Sequence, residues 1–319
     1  MRIFVAGHKG MVGSALLKVL NQDSNNEILT QSRSQLDLLQ QNDVNKFFKN
    51  NNIDQVYLAA ARVGGILANN TYPAEFILQN LKIQNNILES SHLYDVNKVL
   101  FLGSSCIYPK FSEQPIKEES LLSGSLESTN EPYAVAKIAG IKVSESFNRQ
   151  FGRDYRSVMP TNLYGPNDNF HPKNSHVIPA LIDRIHHAKI SKQNEVIIWG
   201  SGKPKREFLH VDDMADAAVF IMNIQKDIFE KEVPPMMSHI NIGTGEDVSI
   251  SLLASKISEV VGFEGELIFD DSKPDGAPRK LLDVSKLKKL GWSSKIKLED
   301  GLLHTYKWYL KNIKLLRHK

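Results

Sequence analysis

Tyr133 and Lys137 stand four residues apart in Tyr133-Ala134-Val135-Ala136-Lys137, a spacing that puts both on one face of a helix. An ammonium beside a phenol favours the phenolate and lowers its pKa toward working pH, so the pair can move a proton. Glu131-Pro132 before it and Gly152 after it mark the ends of that helix, proline first and glycine last. Upstream, an apolar run ends in Gly103-Ser104-Ser105-Cys106-Ile107-Tyr108-Pro109. Ligands of open α/β sheets gather at the carboxyl ends of strands, so these hydroxyls and the thiol would face a bound molecule. On spacing alone Cys106 reads more readily as a small buried hydrophobe, and His176 equally as a first-turn residue after Ser175.

A second pattern sits at the start of the chain. Gly7-His8-Lys9-Gly10-Met11-Val12-Gly13 links an apolar run to an apolar helical pattern. The first glycine permits a tight turn, the second lets backbone N–H groups approach a pyrophosphate, and the third allows close helix–sheet packing. A dinucleotide is expected there. An NAD site would place an acid about 20 residues on, but the chain reads Thr30-Gln31-Ser32-Arg33. Arg33, with Lys9 as a second cation, points to the 2′-phosphate of NADP(H); the alternative is two solvated surface charges.

The elements that must hold these groups alternate through the first half. Strand-like runs at 2–6, 27–30, 55–60, 98–103 and 156–159 are separated by helical patterns at 11–21, 44–50, 74–94 and 133–151. This predicts an α/β fold, a Rossmann-type doubly wound parallel sheet with a smaller α+β C-terminal substrate lobe. Helices are expected at 177–188 and 212–224 and strands at 196–199 and 239–242, while 249–261, 284–290 and 298–310 complete the C-terminal lobe. The domains interleave: 1–165 with about 209–243 returning form the NADP-binding part, and about 166–208 with 244–319 the substrate-binding lobe. Residues 110–130 read as a long polar loop at the rim of a site, and 200–208 as a basic loop. Asp212 and Asp213 read as helix caps rather than catalytic acids.

Of 319 residues, 41% are hydrophobic and 24% charged, with a net charge of +3. That composition builds a core and gives no general attraction to nucleic acid. No apolar run spans a bilayer. The chain begins directly in a strand-like run, its single cysteine cannot form an internal disulfide, and no CxxC or HExxH occurs. A cytoplasmic protein without a metal site is expected.

Together the glycine turn, the Ser104 strand end and the Tyr133/Lys137 helix resemble the extended short-chain dehydrogenase/reductase family. The resemblance is sharpest to sugar-nucleotide members that both epimerise and reduce, through Arg62-Val63-Gly64-Gly65-Ile66, Ser104-Ser105-Cys106, Pro160-Thr161-Asn162-Leu163-Tyr164-Gly165-Pro166 and Asn174-Ser175-His176. It implies NADP(H) contacts from Gly7, His8, Lys9, Gly10, Met11, Val12 and Gly13, then Arg33, Ser34, Gln35, Leu36, Asp37 and Leu38. Further contacts would come from Leu102, Gly103, Ser104, Ser105, Lys137, Pro160, Thr161, Asn162, Leu163 and His176. It implies a homodimer whose substrate is GDP-4-keto-6-deoxy-D-mannose, inverted at C3 and C5 by Cys106 and His176. Reduction at C4 would then use Tyr133, with Lys137 and Ser104 holding the reacting groups.

The substrate's diphosphate would meet Arg206, which resembles the arginine this family aims at it, and Asp275 resembles a substrate-contacting acid. Arg184 lies two turns beyond His176 on one helix face, and Trp199 could stack on the ligand. Alternatives stay open: surface charges for Arg184 and Arg206, a plain turn for Asp275, and, for the whole chain, a one-step 4-keto reductase, a 4-epimerase, or a non-catalytic NADP-binding sensor. Lys9 stands where relatives often carry arginine, keeping the charge without the bidentate fork.

Overall fold

The computed structural model describes residues 1–171, 175–273 and 275–316. Asn174 of the Asn-Ser-His segment and Pro274 of the expected Pro-Asp-Gly turn lie outside the described residues. The first half runs β1 (Arg2–Ala6), α1 (Met11–Leu20), β2 (Glu27–Leu29), α2 (Gln41–Lys49), β3 (Gln55–Leu58), α3 (Ile66–Thr71), α4 (Pro73–Leu93), β4 (Lys98–Leu102), α5 (Glu131–Phe151) and β5 (Asp154–Pro160). The second half runs β6 (Asn162–Tyr164), α6 (Val177–Ile190), β7 (Glu195–Trp199), β8 (Lys205–His210), α7 (Val211–Asn223), α8 (Lys226–Glu232) and β9 (His239–Ile242). It closes with β10 (Asp247–Ser249), α9 (Ile250–Val261), β11 (Glu266–Asp270), β12 (Arg279–Lys280), α10 (Ser285–Lys289) and α11 (Leu298–Leu316).

β3 and β4 carry unbroken apolar runs because helices cover both sheet faces. The main sheet has the order β2-β1-β3-β4-β5-β9, every pairing parallel. Its order reverses at β1, with β2 on one side and β3 on the other, and the crevice beyond those strand ends is where such sheets bind ligands. On one face α1 packs against α7, joined by Leu16, Leu209, Met214 and Ile240 in a buried cluster. On the other face α2, α4 and α5 cover Phe4, Val56, Phe101 and Ile141. A third cluster, including Tyr164, Ile182, Phe208, Leu253 and Tyr309, lies under the C-terminal elements. Leu287 and Trp292, expected in the lobe, pack into the first cluster instead.

The expected basic loop at 200–208 ends in a strand. β8 pairs with β10 antiparallel on one edge and β12 parallel on the other, with Phe208 and Leu209 buried beneath. Hydrogen-bonding edges and burial outweigh the run of charges. Asp212 and Asp213 do not cap α7: the His210 side chain does, accepting the Asp212 N–H at 3.2 Å. Asp213 instead accepts the backbone N–H groups of Lys295 and Ile296, both at 2.9 Å.

Candidate active site

A cleft of about 580 Å³ opens at the carboxyl ends of the main-sheet strands. Its floor is the glycine turn. Gly7 has φ +87°, and a Cβ there would lie 2.7 Å from the Ala60 nitrogen. A Cβ on Gly13 would lie 2.2 Å from the Gly7 carbonyl oxygen, so α1 can start this close only with glycine. Gly10 begins α1 without a side-chain cap, leaving backbone N–H groups turned to the cleft. The cradle fits a pyrophosphate.

Arg33 and Gln31 line the same cleft, with Leu36, Asp37 and Leu38 beside them. His8, Lys9, Ser34 and Gln35 are not among its lining residues. Lys9 is exposed. Ser34 and Gln35 are turned to local bonds with Ser32, at 3.0 and 2.7 Å. Burial, with Lys9 adjacent, lowers the His8 pKa. Arg33 is thus the expected cation that borders the cleft.

β4 delivers Leu102, Gly103, Ser104, Ser105 and Cys106 to the cleft. Ser104 caps a short 3₁₀ turn, its oxygen accepting the Cys106 N–H at 3.2 Å, which fixes the thiol's backbone. α5 supplies Tyr133 and Lys137, both lining the cleft. The expected lowering of the Tyr133 pKa is not what this arrangement produces. Burial pushes it up, the neighbouring Cys106 raises it further, and only the hydrogen bond with Ser104 pulls it down. Lys137 is itself buried, so its pKa falls to about 7. Its Nζ donates to the Leu102 carbonyl at 2.7 Å and sits 5.8 Å from the Tyr133 ring centre. Desolvation outweighs the cation's help to the phenolate.

β5 and β6 bring Pro160, Thr161, Asn162 and Leu163 to the wall. The Thr161 N–H reaches the Ile242 carbonyl at 2.9 Å, and the Asn162 amide reaches the Glu207 carbonyl at 2.8 Å. His176 occupies the N-cap position of α6 and lines the cleft. Its side chain is exposed, yet the surrounding protein, then Lys280, lowers its pKa.

Lys280 on β12 was not legible: a lysine among many carries no spacing signal. It lines the cleft and places Nζ 3.8 Å from the Cys106 sulfur. Arg62, Val63, Gln79 and Ile83 also line it. Arg62 and Val63 belong to the Arg-Val-Gly-Gly-Ile stretch of the resemblance, which assigned them no contact.

The four expected substrate residues fall outside this lining. Trp199 is 68% exposed at the end of β7. Asp275 accepts the Ser201 N–H and hydroxyl at 2.9 and 2.6 Å, which holds its carboxyl below the usual range. It also faces Arg206, whose pKa burial lowers and Asp275 raises. Lys280 pairs in register with Arg206, so this group abuts the cleft through β12. Arg184 lies apart: it donates to the Ile197 carbonyl at 2.8 Å and borders a shallow surface depression with Lys192 and Glu195.

One further grouping, His210, Asp212 and His304, has ligand-type atoms within 4.8 Å of one another. The Asp212 carboxylate pairs with Lys18 at 2.7 Å, and the His210 Nδ1 accepts an N–H while its Nε2 has no hydrogen-bond partner among the described residues.

A doubly wound sheet, a pyrophosphate cradle and a Ser–Tyr–Lys set at one strand end define a dinucleotide-dependent enzyme class. The chain belongs to the NAD dependent epimerase/dehydratase family, which matches residues 3–243, and this bears out the resemblance read from the motifs. It is 60% identical over 311 residues to the GDP-L-fucose synthase of Escherichia coli (strain K12), covering 98% of this chain and 97% of that protein. Among solved structures it is similar to a GDP-L-fucose synthetase from Naegleria fowleri bound to NADP, with TM-score 0.87 and 28% identity over 98% of this chain and 95% of that one. It is also similar to MlghC, a GDP-mannoheptose C4 reductase from Campylobacter jejuni with NADP bound, with TM-score 0.87 and 40% identity over 97% and 98%.

Proposed function

We propose that this chain is an NADP-dependent epimerase/reductase that converts GDP-4-keto-6-deoxy-D-mannose into GDP-L-fucose. The observation that carries the reading is the meeting of Cys106 and His176 with Ser104, Tyr133 and Lys137 in one cleft, in a chain so similar to a GDP-L-fucose synthase. The 4-keto group acidifies the protons on C3 and C5. The Cys106 thiolate takes one proton at a time, and the electron pair moves onto the C4 oxygen, which accepts hydrogen bonds from Ser104 and Tyr133. His176, after taking a proton from solvent, gives it to the opposite face, which inverts the centre, and Cys106 releases its proton to solvent before the second inversion. After both inversions Tyr133 gives its phenolic proton to the C4 oxygen as the carbonyl is reduced, and Lys137 stabilises the phenolate left behind.

NADPH, when bound, supplies the hydride. The glycine turn would hold its pyrophosphate and Arg33 its 2′-phosphate. Trp199, Arg206 and Asp275 would hold the nucleotide sugar, and Arg184 would act at its far end. The interleaved division at 165, 209 and 243 is kept as the boundary between cofactor and substrate parts. No helix among the described residues is long and apolar enough to cross a membrane, and a thiol acting as a base needs a reducing compartment, which favours the cytoplasm. A homodimer would cover Leu78 and Val135, 57% and 40% exposed on α4 and α5.

The test is incubation with GDP-4-keto-6-deoxy-D-mannose and NADPH in heavy water. Two solvent deuteriums on product carbon, with NADPH oxidised, support the proposal. Oxidation without solvent label would leave a one-step 4-reductase.

A further inference from the structure

We infer that Lys280 is a positioning residue that holds Cys106 as a thiolate. This deepens the reading above, since it assigns a partner to the proposed base. The Lys280 Nζ lies 3.8 Å from the Cys106 sulfur, and both line the cleft. An ammonium at that range stabilises sulfur as an anion, the form that removes a proton or attacks an electrophile.

The lysine is fixed from several sides. Its strand pairs in parallel with β8, Lys280 opposite Arg206. The next residue, Leu281, donates its N–H to Gln114 at 2.8 Å, and its carbonyl accepts from Ile116 at 2.8 Å. Leu282 donates its N–H at 3.0 Å to the buried Glu207 carboxyl, which also accepts from Gly245 at 2.8 Å. Four contacts on three consecutive residues hold a flexible side chain's backbone beside the thiol, so little of the interaction is lost to disorder.

Charged and titratable neighbours come from α5 and α6. Tyr133 on α5 couples unfavourably with a negative sulfur. His176 at the start of α6 faces Lys280, which helps to lower its pKa. Lys280 thus acts on both groups expected to work on opposite faces of the sugar. It favours the charged, proton-accepting form of the sulfur, while the proton that His176 returns is taken up by that ring from solvent before each transfer.

The chain's single cysteine makes the test specific. The alkylation rate of Cys106 by iodoacetamide would be measured across pH in the intact enzyme, in Lys280→Met and in Lys280→Arg, with NADPH binding as the check on folding. At about pH 7 Lys280→Met should react roughly five- to tenfold more slowly, Lys280→Arg should recover most of the rate, and the gap should narrow at high pH. A rate independent of residue 280, or a deficit that persists unchanged at high pH, would overturn the inference. Failure of the base assignment is separate. It would appear as unaltered deuterium exchange in Cys106→Ala, while alkylation still followed Lys280.

Discussion

Removing the Cys106 sulfur separates two tasks that share one carbonyl. Cys106→Ala deletes the proposed base but keeps the backbone N–H that Ser104 accepts. Solvent deuterium exchange at the ring carbons should fall by at least ~100-fold, with NADPH affinity unchanged; exchange at the native rate would remove Cys106 from the mechanism. A second buried acid makes a separable prediction about pH. Asp168 is 7% exposed, and its Oδ2 has no hydrogen-bond partner among the described residues. Burial raises its pKa from 3.8 to about 7. The folded state therefore holds a proton that the unfolded state has released between those values. Its contribution favours the fold at low pH and is lost as pH rises through about 7. Asp168→Asn should melt about 2–4 °C higher than the native chain at pH 8 and nearly together with it at about pH 4, by thermal denaturation. An equal gap at both pH values would mean that titration is not the cause.

α5 shows how a whole element sets the chemistry of two side chains. Gly140 faces β4, and a Cβ there would come within 2.3 Å of the Phe101 ring, which is fully buried and cannot swing aside. The same ring lies 4.9 Å under the Lys137 ammonium. Gly140→Ala should lift α5 from the sheet, cost ~1–3 kcal/mol, and lower kcat for reduction, because Tyr133 and Lys137 move together. Stability loss with unaltered turnover would show that the helix position is not what tunes them. The long elements were legible because helices such as α4 and α5 and strands such as β3 and β4 repeat one pattern over many residues. β6, β10 and β12 span three, three and two residues, too short for any periodicity to register. The Tyr133 and Lys137 shifts escaped for a related reason. Spacing reports which groups are neighbours, whereas their pKa values depend on how completely surrounding elements exclude water, and here that term is the larger. Lys280 escaped because its neighbour Cys106 is 174 residues away in the chain.

At the scale of the molecule, the two cations proposed to bind phosphate groups stand on different sheets. Arg33 follows β2 of the main sheet and lines the cleft, while Arg206 lies on β8 outside that lining and faces Asp275. If cofactor and nucleotide sugar are held by separate parts of the fold, their losses must also separate. Arg33→Ala should weaken NADPH binding ~10-fold or more and leave NADH nearly unchanged, since only the former carries a 2′-phosphate. Arg206→Ala should leave both cofactors' affinities intact and raise KM for the GDP-sugar by a similar factor. Residues with no shared partner add within about 0.3–0.5 kcal/mol. The double variant should therefore show the product of the two single effects in kcat/KM at subsaturating cofactor and sugar. A defect much smaller or larger than the product would mean that the lobe moves onto the sheet as one ligand binds, so that each arginine reports on both.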